Sequence, residues 1–127
     1  MERTPLQLAQ DIVKILDNKK GSKIEVIKVD EVSTLTEYFV ICTGTSTTQV
    51  KALADEVEFK LKHDEKDPCP PLRTEGYQSG NWIVLDYGSV ILHVFHTEMR
   101  AFYDLEHLWA DGETVAIDTL ITKEEAE

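Results

Sequence analysis

The run Tyr38-Phe39-Val40-Ile41-Cys42, followed by Thr43-Gly44-Thr45-Ser46-Thr47, decides how this chain folds. The first half is an unbroken apolar stretch, the pattern of a strand buried on both faces. The Thr-Gly-Thr-Ser-Thr stretch ends that strand and opens a helix running to about His63, with Ser46 or Thr47 placed to cap it. At ~100° per residue, Val50, Leu53, Ala54, Val57 and Leu61 fall in one narrow core stripe, while Phe59 lies with Ala52 on the charged side.

Working outward, Leu6, Leu8, Ala9, Ile12, Val13, Ile15 and Leu16 occupy one half of a second helical wheel. Thr4 as N-cap, Pro5 at the first position and Gly21 beyond the end punctuate that helix. Lys23–Val29 is β-branched and reads as a strand. On the other side, Asp67-Pro68-Cys69-Pro70-Pro71 is a rigid breaker, and Leu72-Arg73-Thr74-Glu75-Gly76 reads as a short edge strand. Trp82-Ile83-Val84-Leu85-Asp86 and Val90-Ile91-Leu92-His93-Val94-Phe95, joined by Tyr87-Gly88-Ser89, form a β-hairpin. Thr97 caps a helix over Glu98–Ala110, with Phe102, Leu105, Leu108 and Trp109 on its core arc. The order α-β-β-α-β-β-β-α predicts an α/β fold with a single mixed sheet flanked by helices. Residues 1–110 form the domain, and 111–127, with six acids and one Lys, an acidic tail. Val115, Ile117, Leu120 and Ile121 allow a short strand there.

At 127 residues the chain fits one domain, and its 42% hydrophobic content supports a core without staples. Thirteen Lys and Arg against 24 Asp and Glu give a net charge of -11, which argues against nucleic acid as the main source of affinity. No stretch approaches the ~18 apolar residues of a membrane span, and Met1-Glu2-Arg3-Thr4-Pro5 lacks a signal-peptide pattern, so the expected location is cytoplasmic. Cys42 and Cys69 are far apart and read as free thiols.

Gly44-Thr45-Ser46 lies where a helix N-terminus could receive a phosphate, but no GxxxxGK[ST] pattern accompanies it. Asp55, Glu56 and Glu58 fall on the following helix instead of on a strand, where paired carboxylates would hold metals. These residues therefore read as a cap and a solvated face. His93 and His96 lack a recognised metal spacing, and no base is identified for a cysteine nucleophile. Catalytic, cofactor and metal sites are accordingly not expected. Strand alternation gives Trp82, Val84 and Asp86 one face and Ile83 and Leu85 the other, making the Asp-bearing face the more accessible. Trp82, Asp86, Tyr87, Arg100, Tyr103 and Trp109 gather aromatic and charged groups of the kind that dominate protein interfaces.

The blocks Tyr38 to Ser46, Gln49-Val50-Lys51-Ala52-Leu53-Ala54-Asp55, Glu75-Gly76, Trp82 to Gly88, His93-Val94-Phe95 and Arg100 to Trp109 occur together in order. This set resembles the ribosomal silencing factors, or Iojap family, over roughly Leu6 to Trp109. The resemblance implies a fold related to nucleotidyltransferases but without their catalytic carboxylates. It implies a translational repressor that attaches to the fourteenth protein of the large ribosomal subunit and sterically blocks joining of the small one when nutrients are scarce, often as a homodimer. Trp82, Asp86, Tyr87, Arg100, Tyr103 and Glu106 become the candidate partner-binding residues. Glu37 and Ser89 stand where the family usually has Asp. A nucleotidyltransferase-like enzyme and a metal-dependent hydrolase are the rival readings.

Overall fold

The computed structural model describes residues 3–29, 36–99, 113–115 and 117, with the backbone alone for 113–115. Helix α1 (Pro5–Asn18) begins with a reciprocal cap, in which the Gln7 amide donates to Thr4 Oγ1 and the Thr4 amide to Gln7 Oε1. Leu8, Ala9, Ile12, Val13 and Leu16 are buried, whereas Ile15 is partly buried and Leu6 37% exposed. The last two mark the margins of the apolar arc, where a helix resting on a sheet turns away from it.

Six strands form one mixed sheet: β1 (Ser22–Lys28), β2 (Tyr38–Gly44), β3 (Arg73–Glu75), β4 (Trp82–Asp86), β5 (Val90–His96) and β6 (Glu113–Val115), in the order β3-β4-β5-β2-β1-β6. The β2–β5 pair is parallel and every other pairing antiparallel. Parallel strands need a long crossover, and helix α2 (Thr47–Lys62) supplies it, passing over the sheet before β3 and β4 fill the far edge. All seven residues of β2 are buried, as its unbroken apolar run requires. Strand β6 comes from the segment read as an acidic tail, and its backbone covers the edge that β1 would otherwise expose.

The sheet separates two apolar clusters. Toward α1 and α2 point Val26, Val40, Cys42, Ile83, Leu85, Val90, Leu92 and Val94. On the opposite face Ile27, Val29, Phe39, Ile41 and Phe95 gather with the partly buried Trp82, Ile91 and Met99. The expected helix over Glu98–Ala110 lies outside the described residues from position 100, and with it Arg100, Tyr103 and Glu106; residues 97–99 are helical. Thr97 differs from its expected capping role. Its hydroxyl donates to the Gly44 carbonyl across the sheet end, and the Glu98 amide turns to His96 Nδ1.

An ion cluster that the sequence did not announce ties the chain start to the loop after α2. The Arg3 guanidinium reaches Asp11 at 2.6 Å, Asp64 at 2.8 Å and Asp67 at 3.2 Å, with its side chain only 12% exposed. Backbone amides of Asp67 and Lys66 hold the Asp64 carboxyl below its usual range, and Arg3 adds to this.

The end of α1 divides between two residues. Lys20 takes the left-handed conformation at φ 71°, and the Gly21 amide returns to the Leu16 carbonyl at 2.8 Å. Gly21 is required for space: a Cβ there would sit 2.5 Å from Cys42 Sγ. Replacing Gly21 by Ala should cost about 1–3 kcal/mol in urea denaturation through overpacking. Adding Cys42→Ala should recover part of that loss. Lys20→Gly should gain about 1 kcal/mol by relieving the left-handed strain.

Candidate functional site

The hairpin β4–β5 and the edge strand β3 present their residues alternately to the helices and to the opposite, open face. Ile83 and Leu85 are fully buried, while Trp82, Val84 and Asp86 are half-buried on the open face. Gly76 sets the entry to β4. It has φ 80°, and a Cβ there would fall 2.0 Å from the Trp82 carbonyl oxygen, so only Gly allows the return from β3.

Trp82 lies flat on Phe95, its cross-strand partner, with ring centroids 4.9 Å apart. Its indole Nε1–H donates to His93 Nδ1 at 3.0 Å. His93 in turn meets Phe39 edge-on at 4.8 Å. Beside this chain of rings a groove of about 200 Å³ is lined by Phe39, Arg73, Glu75, Val84, Asp86, Ile91 and His93. Its floor is apolar and aromatic, and its rim is charged.

Asp86 is already engaged within the fold. Its Oδ1 accepts from the Gly88 amide at 2.8 Å and its Oδ2 pairs with Arg73 at 3.0 Å. The carboxylate thus holds the hairpin turn and bridges β3 to β4 at the groove rim. Tyr87 takes the opposite direction. It is 5% exposed in the cluster beneath the helices, and burial raises its phenol above the usual range. Trp82 and Asp86 therefore share one surface, and Tyr87 stands in the core behind it. Glu37 and Ser89 are neighbours, since the Glu37 and Tyr38 amides both donate to the Ser89 carbonyl, and the Ser89 hydroxyl is buried. That pairing is made by the main chain whichever side chains occupy the two positions.

The sequence reading weighed His93 as a metal ligand and did not place it on this surface. Counting back from the Tyr87-Gly88-Ser89 turn gives Val84 opposite His93 and Trp82 opposite Phe95, so the diagonal Trp82–His93 contact follows from the register. His93 and His96, an odd number of positions apart on one strand, point to opposite faces. His93 is 8% exposed, and burial pushes its pKa down to about 4. Its Nε2 is buried without a partner among the described residues. A buried donor left in this state costs about 1–3 kcal/mol.

The strand-to-helix turn at Gly44-Thr45-Ser46 is filled by its own chain. Ser46 caps α2 by accepting from the Gln49 amide, while Gln49 Oε1 accepts from both the Thr45 amide, at 2.7 Å, and the Thr45 hydroxyl. A phosphate would have to displace these bonds. On α2, Asp55 accepts from the Tyr77 hydroxyl at 2.9 Å and Glu56 faces Lys60.

With this geometry in place, the comparisons with known proteins agree with one another. A family model described as "Ribosomal silencing factor during starvation" matches residues 2–127. The chain is similar to "Ribosomal silencing factor RsfS" of Halalkalibacterium halodurans, 35% identical over 91% of this chain and 97% of that one. It is 34% identical to the mouse "Mitochondrial assembly of ribosomal large subunit protein 1" over 77% of this chain and 43% of that one. A crystal structure of a Chromobacterium violaceum protein superposes with a TM-score of 0.80 at 31% identity, covering 85% of this chain and 88% of that one.

The depressed His93 pKa sets a pH dependence. Between pH ~6.5 and about 4 the unfolded chain protonates this histidine and the folded chain does not, so protons favour unfolding. The stability held by the neutral ring is complete above pH ~6.5 and falls by up to ~3 kcal/mol as the pH drops through that window. Denaturant midpoints followed across pH should show this slope in the parent and a smaller one in His93→Asn. Equal slopes would mean that His93 titrates normally in the fold.

Proposed function

The chain belongs to the ribosomal silencing factor family, and we propose that it represses translation by binding the fourteenth protein of the large ribosomal subunit and blocking the joining of the small subunit. The family match over residues 2–127 carries this reading. The mechanism is steric, since a folded domain seated on the joining face needs no chemistry to keep the second subunit away.

Three physical features support it. The net charge of -11 is repelled by ribosomal RNA and attracted to basic ribosomal proteins, so the chain can find a protein site on an RNA-rich particle. The open face carries the half-buried Trp82, the type of anchor on which interface energy concentrates, and a separate groove with an apolar floor and charged rim. The strand-to-helix turn at Gly44-Thr45-Ser46 is filled by Gln49 and Ser46, in keeping with a non-enzymatic regulator. Trp82 and Asp86 are the contact residues on this face, and Arg100, Tyr103 and Glu106 complete the set by the family resemblance. The same reading carries a cytoplasmic location and the pairing of two copies, in a domain that the β6 pairing extends beyond the expected end at residue 110.

Sedimentation with separated ribosomal subunits tests the proposal: recovery with the large subunit alone is expected, and recovery with neither would defeat it. Trp82→Ala should weaken large-subunit binding by ~2 kcal/mol or more. Its thermal midpoint should also fall, because the Phe95 stack and the His93 bond are lost. A variant that melts lower yet binds normally when folded would remove Trp82 from the contact. Raising ionic strength should slow association more than it speeds dissociation, since screening acts on the encounter. Association rates independent of salt would leave the acidic balance without a role in binding.

A further inference from the structure

Asp86 lines the open-face groove, yet both of its carboxylate oxygens are engaged within the chain. The two bonds differ in kind. Oδ1 accepts from the Gly88 amide at 2.8 Å, a local bond that belongs to the hairpin turn. Oδ2 meets one guanidinium nitrogen of Arg73 at 3.0 Å. The Arg73 side chain is 71% exposed, and it stands on β3, an edge strand exposed throughout its three residues. Such a pair is easily exchanged, because solvent competes for both charges and a long side chain loses freedom in making it.

Register gathers the surroundings on one face. Arg73 stands opposite Asp86 and Glu75 opposite Val84, so Glu75 and Asp86 are diagonal neighbours within the span of one long side chain. Asp86 is in turn opposite Ile91, and Ile91 opposite Phe39. The groove of about 200 Å³ thus has Phe39, Val84 and Ile91 as its apolar part and Arg73, Glu75 and Asp86 as its charged part. Two carboxylates stand there against one cation. Glu75 makes no ion pair among the described residues.

We propose that this groove receives one Lys or Arg side chain of a basic protein partner, with its head between Glu75 and Asp86 Oδ2, and that Arg73 is the internal cation it displaces. The inference rests on the partner-binding reading above and names a contact within it. The excess of carboxylate at the rim selects a cation, and the apolar floor suits the methylene stem that Lys and Arg carry behind their heads. A phosphate or carboxylate would meet like charge. The exchange asks nothing of the sheet, since Arg73 swings into solvent while the Gly88 amide keeps the Asp86 carboxylate in place. Until then Arg73 covers the oxygen that the partner needs. It therefore lowers affinity and favours a partner whose cation is held by both carboxylates and the floor over one held by a single oxygen.

Removing the competitor should improve binding, an outcome that misfolding does not imitate. With purified large ribosomal subunits at an ionic strength of about 0.15 M, where distant charges are screened, Arg73→Gln should bind about threefold or more tighter than the parent. Lys60→Gln removes the same charge from α2, on the other side of the sheet, and should leave affinity unchanged. Asp86→Asn keeps an oxygen for the Gly88 amide and should weaken binding about tenfold, and Glu75→Gln about threefold. Added to Asp86→Asn, Arg73→Gln should bring no gain, because the site of competition is gone. A gain of equal size in Lys60→Gln, or one that persists beside Asp86→Asn, would reduce the effect to net charge and overturn the inference. Unchanged affinity in Arg73→Gln would overturn it too. Weaker binding in Arg73→Gln would make Arg73 itself the contact, to a phosphate or carboxylate, and overturn the inference while the proposed function stands. A parent that fails to bind removes both.

Discussion

The parallel pairing of β2 with β5 is the constraint from which the rest of the structure follows. Register runs unbroken from Tyr38 opposite Val90 to Gly44 opposite His96, and neither strand touches solvent along most of its length. A parallel pair cannot close through a tight turn, so the chain must travel over one face and return. Helix α2 makes that journey, and α1 packs beside it to complete the cover of the same face. The antiparallel strands on either side then extend the sheet by local hairpins, β4 beside β5 and β1 beside β2.

That arrangement leaves an asymmetry. The helix-facing side is filled with aliphatic residues that interdigitate, while the other side of β4 and β5 carries rings: Trp82, His93 and Phe95, with Phe39 from β2. Rings stacked on a sheet leave grooves between them that aliphatic packing would close. The Arg73–Asp86 pair and Glu75 put charge at the rim of one such groove. An apolar floor with a polar border is the anatomy of a protein contact.

The Gly-containing turn after β2 is closed by its own chain. Helix α2 begins at a turn where an anion could sit, but Gln49 folds back over the Thr45 amide and also donates to the Lys20 carbonyl. The side chain that closes the turn thereby ties α2 to the end of α1. An anion at this place would compete with a structural bond.

Much of the architecture was legible because it depends on short-range rules. The caps at Thr4 and Ser46, the core stripes of both helices, the double-sided burial of β2 and the β4–β5 hairpin each follow from residues a few positions apart, where periodicity and backbone chemistry decide the outcome. Alternation also placed Trp82 and Asp86 on the more open face. The tertiary structure alone decided what those side chains touch. It turned Tyr87 inward, committed the Asp86 carboxylate to Gly88 and Arg73, and drew Arg3 to three aspartates, two of them more than 60 positions away. It also brought His93 under Trp82 and left Nε2 buried without a partner among the described residues. The physical reason is range: a hydrophobic period is written along one element, but hydrogen-bond satisfaction depends on which groups other elements deliver to the same few cubic ångströms.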